Sequence, residues 1–545
     1  MTALVRLLQV TASPPSLQDN TGDLDRLQRA IRTRPGFAAC RLAVPYRRLG
    51  RLAARFRACG FQGVALLNEL PPAVPGPAPA GEPAGWELVD FLAATPLRLP
   101  ALALDLGTTH LEAVLLDLLS GDELGRATRE NSQIVHGADI LSRIHFAAGQ
   151  QEAGNGLALL QAAVIGDVNA LASKLAGEAG LAAAEIRALS VAGNTAMGHF
   201  FLGLDPYQLC REPYIPVVNA PGPVAAAELG LNLHPAAPVH VLPGVGSYFG
   251  GDLLAGIVAC DLDLAAEPAM LIDVGTNAEV VVGCRDWLVA CAGAAGPALE
   301  GGVAKMGMRA GPGVIERVSI DPDSGALSFR VIGEDRVVAE SSSAVGAPST
   351  LPARGICGSG IIDLMAELFL AGMIDIRGKF RPERMGERLV QGPDGPALVV
   401  AWPAEAAGGE AVVVSQVDLD ALMRSKAAMY AILATLMEQV GLPFSALGRI
   451  YVAGAFGRHI NPRQAVVLGM IPDLPLATYR PVGNSSLAGA RRYLLDREAR
   501  ERIGAVAKKI TYLELNVNHE FMIRFSGSRF IPHTDRSLFP SVPVP

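Results

Sequence analysis

Two stretches of this chain carry the same spacing of residues that can bind a phosphate group. Residues 103–109 read ALDLGTT and residues 271–277 read LIDVGTN, so each apolar run ends in aspartate, one further residue, glycine and threonine. The apolar run predicts a buried strand, and the glycine predicts a tight turn whose backbone N–H groups can approach an anion closely. A second apolar strand should follow each turn, at residues 111–118 and 278–283.

The repetition of this pattern predicts a nucleotide site, because a phosphate tail held between two such turns would receive N–H and O–H donors from both sides. The carboxylates of Asp105 and Asp273 would lie at the mouths of the turns, where they would hold a hydrated Mg²⁺. Two unrelated hairpins are the structural alternative, and the repeat favours the nucleotide. The turn residues expected to contact the phosphates are Gly107, Thr108, Thr109, Gly275, Thr276 and Asn277.

Three more glycine-rich turns could complete the site. GICGSG at residues 355–360 opens a predicted helix at 361–371, whose N-terminus could receive a phosphate or pack on a purine. GAFG at 454–457 follows a predicted strand, and GNSS at 483–486 precedes a helix that begins near Leu487. Each turn alone could simply require glycine, but beside the paired hairpins a nucleotide cradle is the simpler account. The predicted contacts are Gly355, Gly358, Ser359, Gly360, Gly454, Phe456, Gly457, Asn484 and Ser485.

Asp252 is an acidic residue outside the hairpins that could also take part in chemistry. It follows two glycines at the start of a predicted helix. Its carboxylate could cap that helix, or it could be a base that orients an attacking hydroxyl or water against the γ-phosphate. With Asp105 and Asp273 it completes the set of predicted catalytic residues. A separate polar cluster follows the third strand of the first half, and structural and functional interpretations of it stay open: Asn131, Gln133 and Asp139.

The composition argues against several classes of protein. Half of the 545 residues are apolar and the mean hydropathy is +0.31, yet charged residues or prolines interrupt the apolar stretches before they reach the roughly 18 residues of a membrane span. The start of the chain makes a poor secretory signal, so we expect a cytoplasmic protein. The net charge of −7 and the lack of a Lys/Arg block disfavour a nucleic-acid partner.

The cysteines and histidines predict no metal centre. The seven cysteines are scattered and none forms a Cys-x-x-Cys pair. An odd count in a long chain without a secretion signal argues against a disulfide framework, and the spacing does not resemble that of a ferredoxin. None of the nine histidines has metal-ligand spacing. The sequence therefore predicts neither a zinc site nor an iron–sulfur cluster of its own.

Three regions follow one another along the chain. Residues 1–97 predict a small α+β leader domain with two helices and an irregular Pro/Ala/Gly-rich loop at 71–85. Beyond them strands alternate with helices, and the recurrence of the hairpin divides this part into related α/β halves at 98–262 and 263–545, the second ending in a C-terminal tail. We expect the two halves to face each other across a cleft.

The motifs resemble those of the actin, sugar-kinase and heat-shock-chaperone superfamily of ATPases. DLGTT at residues 105–109 is similar to its first phosphate motif, DVGTN at 273–277 to its second, and YVAGAFG at 451–457 to its adenosine motif. Within this superfamily the chain most resembles the reductive activators of corrinoid proteins, from about residue 100 onward. Residues 17–20 and 23–31 of the leader domain are more weakly similar to the linker and middle domain of that family. The stretches that carry this closer resemblance are residues 131–144, 191–197, 294–302, 307–310 and 510–518.

The resemblance implies an α/β fold of duplicated actin-like, ribonuclease H-like domains that binds ATP and Mg²⁺. It also implies the activity, which is ATP-driven reduction of cob(II)alamin to cob(I)alamin in a corrinoid protein or a corrinoid methyltransferase subunit, carried out by a homodimer. Members of that family typically carry an iron–sulfur domain, and we find no such pattern in this sequence. We therefore expect electrons to come from a separate ferredoxin or reductase.

Two other functions stay open on the sequence. A small-molecule kinase of the sugar-kinase fold would use Asp252 as its catalytic base, since this residue lies just upstream of the second phosphate motif. A non-redox ATP-binding protein that regulates or chaperones a methyltransferase would need the phosphate motifs but no electron transfer. Analysis of the reaction products separates these functions from reductive activation.

Overall fold

The structure is a computed structural model of the chain. It describes residues 2–543 apart from 71–84, 150–154, 248, 276–277, 294–304, 309, 322–323, 334–337, 340–350, 455–456, 458–459 and 516–518. Among the predicted site residues, Thr276, Asn277 and Phe456 lie outside the described residues, as do the loop at 71–84 and the stretch at 294–302.

Contacts along the chain divide the protein into two compact units. One comprises Met1–Ala259 together with Ser486–Ala507, and the other comprises Cys260–Ser485 together with Lys508–Pro545. The segment Ser486–Ala507, late in the chain, thus packs with the first unit. The predicted domain boundaries at residues 97 and 262 stay predictions.

The leader region forms a four-stranded sheet with two helices packed on it. Leu27 and Ile31 of the first helix and Phe56 of the second are fully buried, which confirms the two predicted helices. The strand order is β1-β3-β4-β2, in which β3 runs antiparallel to both of its neighbours. The elements are β1 (Val5–Thr11), α1 (Asp23–Arg32), β2 (Arg41–Ala43), α2 (Leu49–Ala58), β3 (Gln62–Leu70) and β4 (Gly85–Leu92).

A six-stranded sheet follows in the same unit, and its first two strands form the first predicted hairpin. The strand order is β7-β6-β5-β8-β10-β9. Its elements are β5 (Pro100–Leu106), β6 (His110–Asp117), β7 (Glu123–Glu130), α3 (Ile140–Gly149), α4 (Gly156–Glu178), β8 (Leu189–Gly193), α5 (Thr195–Leu202), β9 (Val224–Ala225), β10 (Pro238–Val241) and α6 (Gly251–Ala259). The late segment of this unit supplies α10 (Ser485–Leu495) and α11 (Arg497–Lys509).

Helix α4 is the one helix of the described part that is long and apolar enough to cross a membrane, judged by length and composition alone. It packs on strands β6 and β7 and on helices α3 and α5. Leu160, Val164, Val168 and Leu175 on one side of it are buried in the core of the six-stranded sheet. Because this stripe repeats every three to four residues, α4 is a core helix of the unit.

The second unit contains the second predicted hairpin, in a sheet of order β22-β21-β11-β12-β13-β23. A four-stranded sheet, β16-β15-β14-β17, and a three-stranded sheet, β18-β19-β20, complete it. The strands of this unit are β11 (Ala269–Val274), β12 (Ala278–Gly283), β13 (Leu288–Gly293), β14 (Val314–Ile320), β15 (Leu327–Val331), β16 (Val338–Ala339), β17 (Gly355–Ile356), β18 (Leu389–Gly392), β19 (Gly395–Ala401), β20 (Val412–Ser415), β21 (Arg449–Ala453), β22 (Tyr479–Gly483) and β23 (Ile510–Tyr512). The helices are α7 (Gly358–Leu370), α8 (Gln416–Gln439), α9 (Pro462–Leu468) and α12 (His519–Gly527).

The two six-stranded sheets repeat one topology. In each, three consecutive strands form an antiparallel meander, and the first of them also pairs in parallel with a later strand, β5 with β8 and β11 with β21. A further parallel strand, β10 or β22, follows on that side. The extra strands differ, since β9 lies beyond β10 whereas β23 lies beyond β13. The shared order confirms the predicted duplicated α/β fold.

Two helices begin earlier than the sequence predicts. Helix α7 begins at Gly358 and not at residue 361, and α10 begins at Ser485 and not near Leu487. Glycine and serine are poor helix formers, so their propensity predicts a turn at both places. Packing explains the first case, because a Cβ on Gly360 would lie 2.5 Å from the backbone oxygen of Ile315. This glycine lets α7 lie directly on strand β14.

Candidate functional site

The first hairpin turn is held closed by its own backbone and by two asparagines. A Cβ on Gly107 would lie only 2.3 Å from the backbone oxygen of His110, so no other residue fits there without opening the turn. Asn131 Nδ2 donates to the Gly107 carbonyl oxygen at 3.0 Å, and Asn194 Nδ2 donates to the Thr108 hydroxyl at 3.1 Å. The predicted phosphate-binding turn is therefore fixed by side chains that follow two other strands of its sheet.

Each of these asparagines also uses its amide oxygen to shape the backbone around it. Asn131 directly follows β7, is fully buried, and accepts a hydrogen bond from the Gln133 backbone N–H. Asn194 directly follows β8 and caps the N-terminus of α5, accepting a hydrogen bond from the Met197 backbone N–H at 2.9 Å. Asparagine suits both places because one end of its amide caps the local backbone while the other end donates to the turn.

The other members of the predicted polar cluster do not reach the hairpin. Gln133 donates to the Leu160 backbone oxygen and accepts from the buried guanidinium of Arg143. Asp139 is exposed and accepts a hydrogen bond from the Ser142 backbone N–H in the first turn of α3. The structure thus separates this cluster into one residue at the turn and two residues with local structural roles.

Replacing Gly107 by alanine is expected to weaken ATP binding by at least about tenfold, because the new methyl group would force the turn open. Isothermal titration with an ATP analogue and Mg²⁺ measures the effect. Gly166→Ala in α4 is the matched control, since a Cβ there meets nothing within 4 Å. That control should bind nucleotide normally and be more stable by about 0.5–1 kcal/mol. Normal binding by Gly107→Ala would contradict the assignment of this turn.

Asp105, Asp252 and Ser486 lie together at the carboxyl end of β5. Asp105 is the penultimate residue of the strand, and its Oδ1 accepts a hydrogen bond from the Ser486 hydroxyl at 2.7 Å. Asp252 lies in the first turn of α6 and is near enough for the charge of Asp105 to act on it. The sequence predicts Ser485, and not Ser486, as a residue of the site. The Ser485 hydroxyl is buried and makes no hydrogen bond to the described residues.

Asp252 titrates far above the usual range of an aspartate. Burial is the main cause that raises the pKa of its carboxyl to about 7, and the negative charge of Asp105 adds to the effect. The Leu253 backbone N–H donates to Asp252 Oδ1 at 2.8 Å and acts in the opposite direction. A carboxylate with a pKa close to the operating pH is suited to accept a proton during a reaction.

The second hairpin brings two predicted motifs into contact. Asp273, near the end of β11, pairs with Glu279 across the hairpin and with Ala453 on the parallel neighbour β21. Gly454 follows directly with φ +80°, and a Cβ on it would lie 2.6 Å from the Val274 backbone oxygen and 3.1 Å from Asp273 Oδ1. The start of the GAFG turn therefore lies directly against the aspartate of the second hairpin. Gly275 is described, whereas the rest of that turn is not.

The remaining glycine-rich turns are explained by packing, and their contact with a nucleotide stays a prediction. A Cβ on Gly355 would lie 2.6 Å from the Met306 backbone oxygen, and one on Gly457 would lie 2.2 Å from the Val452 backbone oxygen. Gly358 is buried in the first turn of α7, and the Ser359 hydroxyl lies 3.1 Å from Cys357 Sγ. Asn484 connects β22 to α10.

The residues at the first hairpin fit a hydrated Mg²⁺. The donors that meet there are carboxylate and hydroxyl oxygens, which are the ligand types that this cation prefers, and Mg²⁺ usually keeps several waters and needs only one or two protein carboxylates beside substrate phosphates. Across the described ranges no three His, Cys, Asp or Glu side chains converge as a metal site. All seven cysteines are free thiols, and burial raises the pKa of Cys291. The predicted lack of a resident iron–sulfur cluster stays a prediction.

Comparison with protein families covers nearly the whole chain. Three family models match in succession: the RACo linker region over residues 1–70, the RACo middle region over residues 100–265, and the C-terminal domain of RACo, the ASKHA domain, over residues 267–543. The order of these regions follows the order of the leader and the two hairpin-containing sheets.

Individual relatives agree with the family models. The corrinoid activation enzyme RamQ of Eubacterium limosum is 30% identical over 450 residues, which cover 80% of this chain and 72% of that protein. The Co(II) methylated amine-specific corrinoid protein reductase of Methanosarcina barkeri is 28% identical over 281 residues, which cover 50% of this chain and 47% of that protein. A solved structure of a reductive activator for corrinoid, iron-sulfur protein superposes with a TM-score of 0.85 at 37% identity, covering 99% of this chain and 81% of that one.

Proposed function

This chain belongs to the family of reductive activators of corrinoid proteins, and we propose that it uses ATP to drive reduction of cob(II)alamin to cob(I)alamin in a partner corrinoid protein. The resemblance predicted from the sequence is thereby confirmed. The succession of all three family regions along one chain is the observation that carries the proposal. An ASKHA domain implies binding of ATP and Mg²⁺.

We assign the nucleotide contacts to the residues predicted from the two hairpins. Asp105 and Asp273 contribute carboxylates to the binding of Mg·ATP, and the backbone N–H groups of Gly107 and Gly275 face the phosphates. The Thr108 hydroxyl, already oriented by Asn194, supplies a further polar group. What supports this assignment is that the first turn is rigid and that its aspartate is held in place by Ser486.

Hydrolysis of ATP requires a group that takes a proton from the attacking water. Asp252 is suited to this role because its carboxyl has a pKa of about 7 and lies in the field of Asp105. Bound Mg²⁺ would neutralise charge that develops on the phosphate oxygens. Asn131 and Asn194 keep the turn in a single arrangement, so that little reorganisation is needed at the moment of reaction.

The free energy that the proposed task requires is of the order that differential binding can supply. Inverting a 1:99 equilibrium between two protein states takes about 5.5 kcal/mol. At about 59 mV per tenfold for one electron, this corresponds to roughly 240 mV. A state that binds the nucleotide and the corrinoid partner more tightly than its alternative can therefore drive an otherwise unfavourable one-electron reduction.

We propose that the electron comes from a separate ferredoxin or reductase, that the protein acts in the cytoplasm, and that it works as a homodimer. The lack of Cys-x-x-Cys spacing supports the first statement. A purified sample that shows iron–sulfur absorbance would contradict it. Size-exclusion chromatography with light scattering tests the last statement.

The test is reduction of a corrinoid protein followed by its absorbance under anaerobic conditions. We expect cob(I)alamin to appear only when this protein, Mg·ATP, a corrinoid protein and an electron donor are all present. A nonhydrolysable ATP analogue should abolish the reaction, and omission of the donor should leave cob(II)alamin unchanged. ADP that appears together with a phosphorylated small molecule would favour a kinase. ATP binding without any effect on cobalt reduction would favour a regulatory or chaperone role.

A further inference from the structure

Helix α10 reaches from the carboxylate of Asp105 to the leader sheet. In its first turn, Ser486 is almost fully buried and donates to Asp105 Oδ1 at 2.7 Å. Its eleven residues span about 16 Å at 1.5 Å per residue. One end of helix α10 therefore lies at Asp105, and the other end lies at the leader sheet of the same unit.

The far end of α10 is bound by the first residues of the leader region. The last turn of a helix has carbonyl groups without partners inside the helix. Here the Leu4 backbone N–H donates to the Leu494 oxygen at 2.8 Å, and the Thr2 backbone N–H donates to the Leu495 oxygen at 3.1 Å. The segment that leads into β1 thus completes the hydrogen bonding of α10.

Arg500, on the neighbouring helix α11, joins α10, the first residues of the leader region and strand β3 through one guanidinium group. It donates to the Tyr493 carbonyl oxygen of α10 at 2.8 Å, to the Thr2 carbonyl oxygen at 2.9 Å and to Glu69 Oε2 of β3 at 2.6 Å. Both charged side chains are about nine-tenths buried, and Arg497 also contacts Glu69 at 3.1 Å. A buried ion pair with several hydrogen bonds fixes geometry tightly, because breaking it leaves an uncompensated charge.

The middle of α10 is in close contact with two neighbouring elements of the first unit. A Cβ on Gly489 would lie 2.3 Å from the Ala255 backbone oxygen of α6, the helix that carries Asp252. On another side, the buried Ser190 hydroxyl of β8 donates to the Ala490 carbonyl oxygen at 2.8 Å. A displacement at one end of α10 is therefore passed along the helix rather than absorbed within it.

We propose that α10 couples the leader sheet to the magnesium end of the nucleotide site, with Ser486 as the positioning residue of Asp105 and the Glu69–Arg500 pair as the contact at the other end. This inference rests on the proposed function, since it takes Asp105 to bind Mg·ATP. The Ser486 hydroxyl fixes the orientation of the carboxylate that we assign to the hydrated cation. The coupling is reciprocal, so nucleotide binding also stabilises the leader contacts of α10.

The first arm of the test examines Ser486. Ser486→Ala should weaken binding of a nonhydrolysable ATP analogue about five- to tenfold in Mg²⁺, and it should leave binding in EDTA unchanged. Ser486→Thr keeps the hydroxyl and should restore most of the magnesium-dependent affinity. Ser190→Ala is the matched control, because it removes a buried hydroxyl bonded to the same helix but not to Asp105. It should lower stability without changing the magnesium dependence.

The second arm examines the leader contact. Glu69→Gln should weaken binding of the Mg·ATP analogue about threefold or more, although residue 69 lies in the leader sheet. Glu87→Gln is the matched control, because Glu87 is similarly buried in the same sheet and pairs with Arg48 rather than with α10 or α11. It should leave the affinity unchanged. In hydrogen exchange of the unmodified protein, the nucleotide should slow exchange of the Leu4 amide.

The outcomes separate this proposal from the one on which it rests. If the unmodified protein binds the analogue but Ser486→Ala keeps the normal difference between Mg²⁺ and EDTA, then Ser486 does not position Asp105. If Glu69→Gln and Glu87→Gln behave alike, or the Leu4 amide does not respond, then the leader is not coupled to the site. If the unmodified protein does not bind the analogue, the proposed function fails instead.

Discussion

Replacing Asp105 by asparagine is expected to reduce ATP-dependent corrinoid reduction by about 10²-fold to 10³-fold, the effect typical of losing one preorganised electrostatic group. The substitution keeps the shape of the side chain and its hydrogen bond from Ser486 but removes the negative charge that attracts the cation. Nucleotide binding should lose its dependence on Mg²⁺. Titration of an ATP analogue in Mg²⁺ and in EDTA, combined with the anaerobic corrinoid assay, measures both effects. Asp273→Asn should behave in the same way.

The same hairpin offers a matched control for this substitution. Asp117 ends β6 at the opposite end of the hairpin, is buried, and accepts hydrogen bonds from the Leu99 and Leu119 backbone N–H groups at 2.9 and 3.0 Å. Asp117→Asn should lower the melting temperature and leave the magnesium dependence intact. If both variants lose stability but neither changes the effect of Mg²⁺, Asp105 is a structural carboxylate and does not contribute to the binding of Mg·ATP.

The local parts of the site could be predicted from the sequence. The hairpins are determined by residues that are neighbours in the chain, so apolar strands with a glycine turn between them were sufficient to locate Asp105 and Asp273. Helix α4 is determined locally as well, since it buries a periodic stripe over more than twenty residues. Family resemblance then supplied the activity, which no local pattern encodes.

The contacts that hold the turn could not be predicted, because they join residues far apart in the sequence. Asn131 and Asn194 reach Gly107 and Thr108 only after β7 and β8 have taken their places beside β6 and β5. Ser486 meets Asp105 across 381 positions of the chain. The choice between Ser485 and Ser486 depends on where α10 begins, and a run of Gly, Asn and two serines does not determine that residue.

Glycine was the least reliable indicator of a phosphate-binding turn, because close packing and tight turns both select this residue. Gly107 and Gly454 lie at turns beside the two aspartates, as their motifs predict. Gly360 instead lies inside a helix, and its small size allows that helix to approach a strand. A sequence shows that a side chain is excluded at a position but not which neighbour excludes it.

Replacing Asp252 by asparagine is expected to slow ATP hydrolysis by about 10²-fold to 10⁴-fold, the range of general base catalysis, while binding of Mg·ATP changes little. The side-chain oxygen of asparagine can still accept the hydrogen bond from the Leu253 backbone N–H, so the variant keeps this local contact in the first turn of α6. It loses the capacity to accept a proton. Phosphate release measured beside analogue binding separates the two roles. A normal hydrolysis rate would make Asp252 only a residue that stabilises its helix.

The pH dependence gives an independent measure of the same group. Because the pKa of Asp252 is about 7 in the free protein, the hydrolysis rate should rise with pH through this region and level off above it. Asp252→Asn should lose this rise with pH, since no other change is made to the site.

The same carboxyl should make the free energy of unfolding fall as the pH rises, whereas it makes the hydrolysis rate rise. Folding raises the pKa of Asp252 from an ordinary 3.8 to about 7, so the folded state holds a proton that the unfolded state releases. The stabilising effect of that proton is fully present below pH 4 and is lost as the pH rises towards 7, with an upper limit of roughly 4 kcal/mol at 1.36 kcal/mol per unit. The free energy of unfolding of Asp252→Asn, relative to that of the unmodified protein, should therefore be higher at pH 8 than at pH 5. A variant that gains stability at high pH while it loses hydrolysis would show that the protein retains a destabilising carboxylate because catalysis requires it.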